Sequence, residues 1–240
     1  MSDIKNKTKL IQEVFTKRLE KYEWQGLIEL INDKYFYRAI YHSLVKSYAC
    51  KKNIPALSEI LNPFKLSNQK NLKIVIIDTV SKKDKLAAQG IALASTKLVL
   101  NKKGISFLWA INNYKYKGRG IMDKGFTSYQ KQGILLLQLP FTRPIDEESN
   151  SRNIKLWNMV PKRLIRFLSK MDENLIFIFF TDELNYLKDE INPNSRVYDF
   201  EYKERSKNLD VRRRINAKNK KMFKEIDQHI NKYYKTKIKW

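Results

Sequence analysis

Residues 129–143 read YQKQGILLLQLPFTR. At the centre of this stretch Gly133 precedes Ile134, Leu135, Leu136 and Leu137, and Gln138 closes the run. A short apolar run with no polar alternation is too brief for a helix of its own. It suits a strand buried on both faces of a parallel sheet. Gln138 then emerges at the strand's C-terminal edge, which in open α/β sheets is where ligands bind. The same pattern also fits a glutamine that merely caps a core strand.

Working outward, residues 72–77 (LKIVII) and 175–180 (LIFIFF) are two further buried runs, and Val197-Tyr198 starts a short fourth strand. Helical spacing fills the intervals. Leu27, Ile28, Leu30 and Ile31, then Phe36, Ala39, Ile40, Leu44, Val45 and Tyr48 recur at three- and four-residue steps, with a break at Asn32-Asp33. Pro55 and Pro63 punctuate a turn and short helix between them. Residues 105–111 read as an apolar helix. Ile154, Trp157, Val160, Leu164, Ile165 and Leu168 mark an amphipathic one. Phe223, Ile226 and Ile230 mark a last helix over 216–234. Residues 114–125, with three glycines and four basic residues, read as an exposed loop. Residues 1–22 are charged and are expected to be frayed or loosely helical. The architecture expected is α/β: three α/β/α layers around a central, mainly parallel four-stranded sheet, forming one domain over 23–240. Its strands should fall near 72–77, 134–138, 175–180 and 196–199.

The 240 residues suffice for one domain with a sizeable core. Lys and Arg number 48 against 25 Asp and Glu, a net charge of +23. Such an excess favours a polyanionic partner, nucleic acid foremost. An A/T-rich coding sequence also raises lysine, so clustered charge says more than the total. Cys50 is the only cysteine, which excludes an intrachain disulfide and points to a reducing, intracellular compartment. His42 and His229 are the only histidines, so a Cys/His zinc site is not expected. No segment approaches the apolar length of a membrane span, and the N-terminal residues lack the apolar core of a secretory signal.

The stretch 129–143 resembles, without a gap, the strand of the uracil-DNA glycosylase family that reads roughly W-x-x-Q-G-V-L-L-L-N-x-x-L-T-V. Gln138 takes the place of the asparagine and Tyr129 that of the tryptophan. Other elements follow in the family's order: Trp24, Tyr35-Phe36 and residues 60–64 at the start, the helix and strand over 157–180, and Ile238-Lys239-Trp240 for the terminal I-x-W. The family's G-Q-D-P-Y-H loop follows its first strand, and Gly90 stands for the glycine that comes after the loop. Counting back without a gap places Val80 on the aspartate, Ser81 on the proline, Lys82 on the tyrosine and Lys83 on the histidine of that loop, and Leu93 on the phenylalanine that stacks on uracil. A two-residue slip would put Asp78 on the aspartate instead. Thr181-Asp182 stand for the end of W-G-S, and residues 199–204 (DFEYKE) for the H-P-S-P-L-S loop, with Asp199 at its histidine.

The resemblance implies hydrolysis of an N-glycosidic bond on a flipped nucleotide. In the family an aspartate stabilises the cation-like sugar, a histidine supports the departing base, and the asparagine and phenylalanine recognise it. Val80 carries no charge, Leu93 has no π face, Gln138 is longer by a methylene, and Lys82, Lys83 and Asp199 replace aromatic and imidazole groups. The expectation is therefore a fold kept and a pocket abandoned: a DNA-binding scaffold or accessory subunit in replication or repair, needing no metal or cofactor. A diverged but active glycosylase using Asp78, and a protein-interaction module, remain as alternatives. Lys82, Lys83 and Lys85 in the first loop, and Lys203, Arg205, Arg212, Arg213, Arg214 and Lys218 in and after the last, are the expected DNA contacts. Phe200 and Tyr202 among them suit either base stacking or the core. The compartment implied is the cytoplasm of a bacterium, or the host cell for a virus.

Overall fold

The computed structural model describes residues 2–33, 41, 44–45, 53–79, 90–93, 101–116, 126–139, 141, 143–144, 151–202 and 208–240. Its centre is a four-stranded sheet in the order β3-β2-β5-β6, where β2 is Ile74–Asp78, β3 is Ile134–Gln138, β5 is Ile176–Phe179 and β6 is Arg196–Asp199. All three pairings are parallel. Two short segments, β1 (Asn53–Ile54) and β4 (Arg143–Pro144), pair antiparallel beside it. The four expected strands are thus present, and the sheet is wholly parallel.

Side chains alternate across the strands and feed two cores. Val75, Ile77, Leu135, Leu137, Phe177 and Phe179 face one side, where they meet α1 (Ser2–Lys21), α2 (Gln25–Asn32) and α5 (Ser151–Met171). Ile74, Ile76, Ile134, Leu136, Ile176 and Ile178 face the other, against α3 (Lys102–Lys115), α4 (Thr127–Lys131) and α6 (Leu209–Tyr234). The three layers of the expected architecture are present.

Of the two states expected for the N-terminal residues, frayed or loosely helical, the structure has the helical one, a single helix over 2–21. Its charge conceals a stripe of Ile4, Thr8, Ile11, Phe15 and Leu19 at helical spacing, and Phe15 and Leu19 are buried. Trp24 anchors the next turn, donating Nε1–H to the Ser67 and Phe64 carbonyls at 2.7 and 3.2 Å and meeting the Phe64 ring edge-on. The last helix begins at Leu209, seven residues before the expected 216. Asn208 caps it, its side chain accepting from the backbone of Asp210 and Val211. At the end of the chain Asp227 accepts from Trp240, Tyr114 and Lys115 together, which fastens the terminal tryptophan against α3. A 3-10 helix, Asp182–Glu190, has no counterpart in the sequence reading.

Candidate functional site

Two of the sequence-derived candidates meet at the C-terminal edge of the sheet. Asp78 ends β2 and Gln138 ends β3, and the two are register partners. Alternation puts both side chains on the face of Ile74, Ile76, Ile134 and Leu136, toward α3. Both are buried, at 1% and 5% exposure. Residues 90–93 run along the free edge of β3 through an antiparallel bridge between Ile91 and Leu137 and a bond from the Ala92 N–H to the Leu136 carbonyl.

Lys103, which the sequence reading did not single out, completes the group. Its ammonium lies 2.5 Å from the Asp78 carboxylate, and three-quarters of its side chain is covered. It stands in the first turn of α3, where the helix dipole disfavours a cation. That anomaly is the one local signal that could have drawn attention to it. Gly104 beside it is required by packing: a Cβ there would come within 2.3 Å of the Leu93 carbonyl oxygen. Burial pushes the Asp78 carboxyl up from its usual value to about 6, against the pull of Lys103. The Gln138 Oε1 is buried and has no hydrogen-bond partner among the described residues.

The raised carboxyl makes stability depend on pH. The folded chain holds the Asp78 proton more tightly than the unfolded chain. The stability this contributes is full below about pH 4 and lost as pH rises to about 6. The shift corresponds to on the order of 3 kcal/mol. Asp78→Asn, neutral throughout, should therefore match the wild type near pH 4 and become more stable above about pH 6 by roughly that amount. Urea unfolding across this range checks it, and a stability difference that does not vary with pH would contradict the assignment.

The other candidates are scattered. Leu93 is fully buried, with a left-handed φ of 66°, and belongs to the core shared by Phe107 and Leu136. Asp199 ends β6, two strands from Asp78, and pairs with Lys188 at 2.6 Å. Thr181 caps the 3-10 helix by accepting from Glu183, and Asp182 accepts from Asn185. Phe200 is core rather than a stacking surface: it lies against Phe180 at 4.5 Å and meets Phe107 edge-on. Tyr202 is half-buried beside the same cluster. His229 bonds the Asn174 carbonyl at 2.7 Å, at the opposite end of the sheet from Asp78. Arg212, Arg213, Arg214 and Lys218 are exposed on α6. Val80, Lys82, Lys83, Lys85, Lys203 and Arg205 lie outside the described residues, as does His42.

No protein-family profile matches the chain. Among characterised proteins it is 26% identical over 221 residues to the uracil-DNA glycosylase of Mycoplasmopsis pulmonis, covering 90% of this chain and 96% of that one. It is 27% identical over 159 residues to a uracil-DNA glycosylase of Clostridium perfringens, covering 66% and 70%. Among solved structures, mimivirus uracil-DNA glycosylase superposes over all of this chain and 91% of that one, with a TM-score of 0.71 at 16% identity. The sheet and its flanking layers, together with these matches, define a uracil-DNA glycosylase-like α/β protein. Its edge, however, joins Asp78, Lys103 and Gln138, and the lysine is no part of the resemblance on which the fold was expected.

Proposed function

We propose that this is a DNA-binding protein on the uracil-DNA glycosylase fold that does not excise uracil and serves as a scaffold or accessory subunit in DNA replication or repair. One observation carries the loss of excision: the carboxylate at the strand edge is already paired, at 2.5 Å, to Lys103. A lone carboxylate about 4 Å from a developing cation is worth roughly 4 kcal/mol at a protein surface. A carboxylate with an ammonium beside it presents a dipole, and most of that attraction is cancelled. The ungapped pairing places Val80, which carries no charge, at the family's aspartate.

A second reading is supported by a specific feature. Asp78 is buried and stands opposite Gln138, where a catalytic carboxylate of a diverged glycosylase would have to be. The relatives named above carry that activity in their names. The two readings part on one assay, uracil release from single-stranded DNA run beside a DNA-binding titration. Binding without release supports the first. Release abolished by Asp78→Asn supports the second.

The binding half has its own test. Contacts to phosphate give weak sequence preference and steep salt dependence. Replacing Arg212, Arg213 and Arg214 together by alanine removes three exposed cations and should weaken binding and flatten the salt slope by about 3 units in log–log form if each meets a phosphate. A slope equal to that of the unaltered protein would remove these arginines from the interface.

A further inference from the structure

The first ten residues of α6 are thinly covered: Val211 and Ile215 are partly buried and the other eight are exposed. None of residues 209–218 is buried, and Leu209 is 62% exposed. The helix docks from Asn219 onward. There the Asn219 amide bonds the Glu201 carbonyl, just past the point where the Phe200 N–H meets the Phe179 carbonyl at the C-terminal end of β5. Farther along, His229 and Tyr234 bond Asn174 and Asp172, before the start of β5. The helix therefore runs antiparallel to the strands. Its first ten residues overhang the C-terminal edge by about 15 Å.

The charge on this overhang is not explained by helix stability. Residues 212–214 are three of the chain's twelve arginines, placed in succession. An A/T-driven excess of lysine does not produce such a cluster. They follow the positive end of the helix dipole, and Arg214 and Lys218 are like charges at i,i+4. Both local effects are unfavourable. Lys218 is drawn to Glu201 at 2.6 Å, and Arg213 lies 3.6 Å from Asp210 with both side chains largely exposed. Departures of this kind from a sequence's local rules are where function is expected.

The directions of the charges identify the partner. Successive helical residues are about 100° apart, so Arg212, Arg213 and Arg214 together span about 200° of the circumference. A single strand along one side of the helix would meet only part of that set. Single-strand platforms also need aromatic side chains, and LDVRRRINAK has none. Two phosphate rows bordering a groove would meet all three arginines. A helix about 10–12 Å across fits a major groove about 12 Å wide. We infer that the overhanging first ten residues of α6 lie in the major groove of duplex DNA, with Arg212, Arg213 and Arg214 on the phosphates of both strands. This rests on the DNA-binding reading above.

Methylation protection tests it, because dimethyl sulfate modifies guanine N7 in the major groove and adenine N3 in the minor groove. On a short duplex saturated with the full chain, guanine N7 should be protected and adenine N3 should not. The protection should disappear with Arg212, Arg213 and Arg214 changed to alanine. It should persist with Lys220, Lys221 and Lys224, on the docked part of the same helix, changed to alanine. Binding with protection at adenine N3 alone, or only to single strands, overturns the groove assignment and leaves the DNA-binding reading standing. Failure to bind either form of DNA overturns both, and leaves these arginines to an acidic protein partner.

Discussion

Gly133→Ala is expected to destabilise the protein by several kcal/mol. Gly133 has a φ of 92°, a region that residues with a Cβ avoid. A Cβ built there would lie 1.9 Å from the Asn71 carbonyl oxygen and 2.9 Å from its carbon. These are backbone atoms, so no side-chain rotation relieves the overlap. The Gly133 carbonyl accepts from the N–H groups of Lys73 and Ile74, which starts the pairing of β3 with β2. Moving the glycine therefore strains the ladder that sets Gln138 opposite Asp78. Overpacking costs about 1–3 kcal/mol and a forced left-handed backbone about 1–2 more. Thermal or urea unfolding of the variant checks this; a loss below about 1 kcal/mol would mean that the turn before β3 yields more easily than its contacts imply.

That glycine was legible in the sequence because it stands directly before an apolar run, and the run itself located the strand. The same physics located β2 and β5: buried parallel strands leave uninterrupted apolar stretches. The edge strand β6, largely exposed, was signalled only by Val197-Tyr198. Helix α1 was left open between a frayed and a loosely helical segment, because the charged residues between Ile4 and Leu19 mask its helical stripe in composition. The start of α6 was missed because its first ten residues bury no side chain fully, and Val211 and Ile215, only partly covered, are set among charged residues. The place of Gln138 at the strand's end was legible from position, as the polar residue closing an apolar run. Lys103 was not, because its partner lies 25 residues away in sequence and meets it only through the packing of α3 on the sheet. Phe200 shows the converse: its neighbours in sequence are charged, but Phe180 and Phe107 claim its ring.

The unaltered protein is expected to release no detectable uracil from DNA, and restoring one residue is not expected to change that. Val80→Asp would supply a carboxylate where the ungapped pairing sets the family's aspartate. Lys103→Met would unpair Asp78, but desolvation already raises that carboxyl to about 6 with the lysine present, and without it the group would be protonated still more readily. Neither change supplies a donor to the departing base. Asp199, which the resemblance sets at the family's histidine, is a carboxylate paired with Lys188 on the far side of β5. Leu93 is enclosed in the core and offers no aromatic face. Losing one hydrogen-bond donor to a developing anion costs about 2.7–4 kcal/mol of barrier. Groups that act as a unit lose their effect together, so repairing one leaves the rate near the uncatalysed one. Single-turnover assays with excess protein over a uracil-containing strand give the most sensitive reading. Robust release by the unaltered protein, lost in Asp78→Asn and retained in Arg212, Arg213 and Arg214 changed to alanine, would establish Asp78 as the catalytic carboxylate and end the scaffold reading.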